Sequence, residues 1–189
     1  KGEYTGRRLG RIMSPKYFSR VYTSTASRTK RLYDLAGFEA KHLVHTSALD
    51  ECHKGIFEGV PEEACLEAIK PVFSDPNWRF PGGESVNDMK ARFNPFVDAE
   101  ALTGQHSENK LFISSAGPIK GYLADKLGLS YKECFGIPMP NGGVYRFLLW
   151  SDGKLKLLEH LHLDLGVWRE GLYPRNGRHV SAFMNPSQG

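Results

Sequence analysis

Three cysteines, Cys52, Cys65 and Cys134, are all that the 189 residues contain, and no two share a CxxC spacing. That sparse, odd set excludes a disulfide framework and a thiolate zinc site. No apolar run approaches the roughly 18–20 residues that a membrane-spanning helix needs. The opening Lys1-Gly2-Glu3 holds neither an initiator methionine nor the apolar core of a signal peptide, and it reads as an internal start. The expected setting is a reducing intracellular compartment, with cytoplasm and mitochondrial matrix both open.

What is present argues for a folded core. Hydrophobic residues make up 40% of the chain, with 11 Phe, 8 Tyr and 3 Trp. A chain of this size buries about 70% of its unfolded surface, enough for one domain without staples. The net charge of +4 is unevenly spread, with nine basic residues against the single acid Glu3 in residues 1–31. Such a front end suits an anion site or a solvated helix face. The nearby Tyr17, Phe18 and Tyr22 bring no RNA-binding motif with them, so nucleic acid is not expected as a partner.

Helices and strands alternate along the chain. Gly6 to Met13 reads as a helix stopped before Pro15, and Phe18 to Ser24 as a strand. Ser27 is the expected cap of a helix over 28–36 closed by Gly37. His42 to Thr46 is strand-like, Pro61 opens a helix, and 71–83 is loop. Val86, Met89 and Phe93 repeat at helical spacing over 85–96. Lys110 to Ser115 is a buried-strand run that leads into a helix from Ala116 to Leu127. Residues 143–150 and 154–161 read as a hairpin. The pattern predicts an α/β fold, three layers (α/β/α) on a mostly parallel central sheet.

Ligands of such sheets bind beyond the carboxyl ends of the strands. Ser24 and Arg28 follow the first strand, and Ser115 and Gly117 follow the strand that begins at Lys110. Hydroxyls, an arginine and helix N-termini converging there make a phosphate-type site, lined by Arg28, Ser24, Ser115 and Gly117. His42, His45 and His106 read as surface residues. His160 and His162 alternate on one strand face without a third ligand, so no metal site is expected, and no cofactor. Tyr145, Phe147 and Trp150 read as hairpin packing.

Four segments occur in order: Val21-Tyr-Thr-Ser-Thr-Ala-Ser-Arg28, Leu49-Asp-Glu-Cys-His-Lys-Gly55, Phe80-Pro-Gly-Gly-Glu-Ser85 with Arg92, and Phe112-Ile-Ser-Ser-Ala-Gly-Pro-Ile-Lys120. Over residues 4–163 this series resembles the histidine phosphatase superfamily, the phosphoglycerate mutase-like fold. The resemblance implies a nucleophilic histidine in an Arg-His-Gly motif, a second histidine, arginines on the phosphoryl group and a carboxylic acid for the leaving oxygen. By that match Arg28 contacts phosphate and Glu51 is the acid. Glu84 and Ser85 link a lid to the following helix, and His53 sits at the margin of the site.

Two departures follow from the same match. Ser115 stands where the second histidine is expected, and serine supplies no cation at neutral pH. The Arg-His-Gly motif is absent, because Tyr4 to Gly10 already corresponds to the first helix. Glu51 and Ser115 then remain as remnants of a catalytic set. One reading is a pseudoenzyme serving as a structural or binding subunit of a larger assembly, with other protein subunits as partners and a phosphorylated small molecule or anion as ligand. The other is an active phosphatase or phosphomutase whose nucleophile lies upstream of Lys1. A domain over 1–163 is expected, followed by a Gly/Pro/Arg-rich extension over 164–189. In that extension His179 to Asn185 has the make-up of a core strand and could stand in for the first strand of the fold. A truncated chain and a strand from a separate polypeptide are the alternatives.

Overall fold

In the computed structural model the described residues are 2–13, 17–103, 109–135, 139, 141–152, 154–162 and 167–170. The strand expected over 179–185 lies outside them. The first half of the chain forms α1 (Gly2–Ile12), β1 (Tyr17–Thr23), α2 (Ser27–Ala36) and β2 (Glu39–His45). After a long irregular stretch come α3 (Glu62–Ile69), α4 (Val86–Leu102), β3 (Lys110–Ile113) and α5 (Ala116–Lys126). Then follow α6 (Tyr131–Phe135), β4 (Val144–Leu149), β5 (Leu155–His162) and β6 (Val167–Glu170).

Strands β2, β1 and β3 form a parallel sheet in that order, with Val21 beside Leu43 on one flank and Leu111 on the other. Helical crossovers impose this parallel pairing, and they place helices on both faces. Alternation along β1 sends Val21 into a core with Leu9 of α1 and Ala36 of α2. Its neighbour Tyr22 points the other way, into a core with Phe93 and Val97 of α4 and Leu123 of α5. The three-layer α/β arrangement expected from the sequence is therefore the one observed. A third cluster, with Cys65, Ile69, Val72, Phe80 and Met89, holds the region around α3 onto α4.

Several local details differ from the sequence reading. Ala26, rather than Ser27, occupies the cap position of α2 and makes no side-chain cap bond. The Thr29 hydroxyl bonds back to the Ala26 carbonyl at 2.7 Å and closes that turn in its place. Pro61 precedes α3 as its cap instead of lying within its first turn. Strands β4, β5 and β6 form a separate antiparallel sheet, the natural outcome of short connections. Within it β6, from the segment read as extension, pairs with β5.

Among the described residues no helix is long and apolar enough to cross a membrane. No group of His, Cys, Asp or Glu among them could hold a metal ion. All three cysteines are buried and free. Burial, with Glu84 and Glu51 nearby, pushes the Cys52 thiol up to about 12, which makes it an inert packing group.

Candidate phosphate site

The loops after β1, β2 and β3 meet at one end of the parallel sheet. Thr25, just after β1, donates from its amide and its hydroxyl to the Asp50 carboxylate, both at 2.6 Å. Ser114, just after β3, donates to the Leu49 carbonyl at 2.6 Å. These bonds clamp the 47–53 segment, which carries Glu51, between the other two loops. Leu49 is fully buried beneath it.

Arg28 and Ser115 come together as the sequence suggested. The Arg28 guanidinium donates to the Ser115 hydroxyl at 2.7 Å. Ser115 holds the cap position of α5 without making a side-chain cap bond, so its hydroxyl serves Arg28 instead. Glu51 reaches the same helix end, where its carboxylate accepts from the Gly117 amide at 3.4 Å and from the Cys52 amide at 3.0 Å. Arg28, Glu51 and Ser115 line one cleft of about 1090 Å³. An arginine fork, a hydroxyl and backbone amides at a helix N-terminus are the groups that bind a tetrahedral oxyanion. A carboxyl beside them can supply a proton to it. Lys120 lies one turn further along α5, and burial holds its amine below the ordinary lysine value, with Cys134 and Glu51 opposing.

Gly117 leaves the room in which Glu51 sits. A Cβ built there would lie 2.3 Å from the Glu51 Oε1. That carboxylate is the far end of a flexible side chain, so it can swing aside. Gly117→Ala is therefore expected to fold normally, or gain up to about 1 kcal/mol of helix preference, while displacing Glu51 from the cleft. Unchanged thermal melting with altered ligand binding is the result to look for. A collapse of stability would show that the contact is rigid.

The other candidates have structural surroundings of their own. Ser24 is fully buried, and its hydroxyl is shared with Thr29 at 2.7 Å. His53 is exposed, and its amide donates to the Glu84 carboxylate at 3.0 Å. Glu84 pairs with Arg92 through Nε and Nη2, both at 2.9 Å. Ser85 caps α4 in a reciprocal box with Asp88, its hydroxyl accepting from the Asp88 amide at 3.1 Å and its own amide donating to that carboxylate at 2.7 Å. Residues Asp50 and Ser114 were not singled out by the sequence, because their roles depend on which loops meet. Their position next to Glu51 and Ser115 is the only local signal.

A three-layer α/β domain with an arginine, a carboxylate and a helix N-terminus at the carboxyl ends of parallel strands has the groups with which a phosphoryl group can be bound. Residues 1–160 match the histidine phosphatase superfamily (branch 1), and the chain belongs to that family. The fold is similar to that of YhfR from Bacillus stearothermophilus, with 19% identity over 82% of this chain and 79% of that one and a TM-score of 0.69. It is also similar to a mycobacterial glucosyl-3-phosphoglycerate phosphatase in complex with inorganic phosphate, at 18% identity over 82% of each chain and a TM-score of 0.65. A putative alpha-ribazole-5'-P phosphatase from Escherichia coli has 16% identity over 82% of this chain and 79% of that one, with a TM-score of 0.65. No curated protein matches the sequence.

Proposed function

We propose that this chain binds a phosphomonoester or inorganic phosphate in the cleft at Arg28, Ser115 and Gly117, and turns it over weakly if at all. The reading is carried by the Arg28–Ser115 hydrogen bond of 2.7 Å, made where the family resemblance expects a histidine. A neutral hydroxyl in that place leaves Arg28 as the arginine holding the anion, without an imidazolium to stabilise charge that develops in a transition state. The mycobacterial relative whose structure contains inorganic phosphate supports an oxyanion as ligand. A binding subunit of a larger protein assembly is the form of this reading that needs no turnover.

Glu51 favours the second reading, an active phosphatase. Its carboxylate lies at the N-terminus of α5, in reach of a leaving oxygen. The two readings separate in one set of measurements. Calorimetric titration with inorganic phosphate is expected to show binding that Arg28→Ala weakens roughly 10–100-fold, the worth of a charge-assisted contact. Hydrolysis of p-nitrophenyl phosphate is expected at least ~100-fold below that of an intact relative. Hydrolysis near the intact level, abolished in Glu51→Gln, would establish the phosphatase instead. Phosphate binding unaffected by Arg28→Ala would remove both.

A further inference from the structure

Helix α5 carries an unpaired cation beside the phosphate site. The other half-buried lysines of its layer are neutralised, Lys90 of α4 by Asp125 and Lys126 by Asp98 at 2.7 Å. Lys120 is half-buried as well, yet it makes no hydrogen bond or ion pair among the described residues. The groups close enough to act on its amine are Cys134 and Glu51. Burial holds the Cys134 thiol above its ordinary value and so uncharged, which leaves the Glu51 carboxylate. Helix geometry sets where the amine goes. A Cβ on Gly117 would face Glu51. Residues three apart share a helix face, and helical side chains lean toward the N-terminus. The Lys120 side chain therefore runs back along the Gly117 face toward the helix end at which Glu51 sits.

We propose that Lys120 is the second cation of the site, closing on a bound phosphate from the Glu51 side while Arg28 holds it from the Ser115 side. This rests on the reading of the cleft as a phosphate site. A phosphate monoester carries about −1.5 to −2 charge at neutral pH. Arg28 offsets one of those charges, and the Ser115 hydroxyl offsets none. Arg31, one turn further along α2, also lines the cleft but is already paired with Glu3. A half-buried ammonium without a partner is disfavoured, because burial penalises its charged form. An anion beside it removes that penalty and adds a charge-assisted hydrogen bond. Lys120 thereby supplies the positive charge that a serine at position 115 cannot.

Two measurements on the full chain test this. Calorimetric titration with inorganic phosphate is expected to show binding about 10-fold weaker in Lys120→Met, the loss of one charge-assisted contact. Lys120→Arg keeps the charge and should recover part of that affinity. Because the amine has no partner to lose, Lys120→Met should melt at or above the native temperature. In the second measurement, acetic anhydride labels the lysines and mass spectrometry reads each one. Phosphate at about ten times its dissociation constant should slow acetylation of Lys120 roughly 10-fold. The exposed Lys41 of β2 should be labelled equally with and without it. Native affinity in Lys120→Met, or no protection of Lys120 by phosphate, overturns the proposal and leaves the Arg28 site standing. A lowered melting temperature in Lys120→Met also overturns it, since the amine would then hold a structural partner. Absence of phosphate binding, or binding that Arg28→Ala does not weaken, removes the underlying reading and this one with it.

Discussion

Replacement of Arg92 by alanine is expected to cost about 3–5 kcal/mol of stability, the usual consequence of breaking a semi-buried, fully hydrogen-bonded ion pair. The reason is the number of groups that one guanidinium serves. Nη1 donates to the carbonyls of Ser47, Ala48 and Asp50 at 3.0, 3.2 and 2.8 Å. Nη2 donates to the Glu51 carbonyl at 2.8 Å, and Nε with Nη2 grips the Glu84 carboxylate. Truncation leaves those acceptors unpaired and the Glu84 charge uncompensated. In a urea titration the midpoint should fall, and the melting temperature by roughly 6–20 °C at ~2–4 °C per kcal/mol. Arg92→Lys keeps the charge but not the fork, and should recover only part of the loss. Melting unchanged within 2 °C by Arg92→Ala, about 1 kcal/mol or less, would refute this account.

The same pair gives a pH signature. The Arg92 hydrogen bond holds the Glu84 carboxyl below its ordinary value, with burial opposing and the His53 amide assisting. A carboxyl depressed in the folded state contributes stability that is complete above its unfolded value and fades as pH falls through the folded one. The ordinary value is 4.5. The native chain should therefore lose its advantage over Arg92→Ala below that pH. Parallel stability curves down to strong acid would contradict this.

Gly55→Ala is expected to cost about 3 kcal/mol, from two sources. Gly55 has φ of +57°, where an L side chain costs roughly 1–2 kcal/mol. A Cβ there would also lie 2.0 Å from the Pro81 carbonyl oxygen and 2.7 Å from the Gly83 nitrogen. Both are backbone atoms and cannot swing aside. The two loops must part, weakening the bonds from the Ile56 amide to Pro81 (3.0 Å) and from the Glu84 amide to His53 (2.8 Å), each worth about 1 kcal/mol. Glu84 would shift with them, so Gly55→Ala and Arg92→Ala should be less than additive in a double-mutant cycle. Strict additivity would show that the loop contact and the ion pair act independently.

The chain's local signals reported its elements well. Apolar alternation over 18–24 marked β1, the apolar run within 110–115 marked β3, and the spacing of Val86, Met89 and Phe93 marked the buried face of α4. The expected cap at Ser27 failed because Thr29 reaches back to the Ala26 carbonyl, a bond that depends on the actual turn. The short α6 carries too few residues for a periodic signal. Arg28 and Ser115, 87 positions apart, were placed at one site because ligands of such sheets bind beyond the carboxyl ends of the strands, but the hydrogen bond between them was not legible in the sequence.

By itself the sequence determined most of the helices and strands, and that the sheet would be largely parallel and covered on both faces. Those properties depend on neighbours three or four residues away and on composition. Only the tertiary structure decided that Arg92 holds the Glu51 loop, that Ser24 is fully buried and shared with Thr29, and that β4 joins β5 in a sheet apart from β1 and β3. Each of these turns on which distant segments meet, and hydrogen bonds act over about 3 Å whatever the separation along the chain.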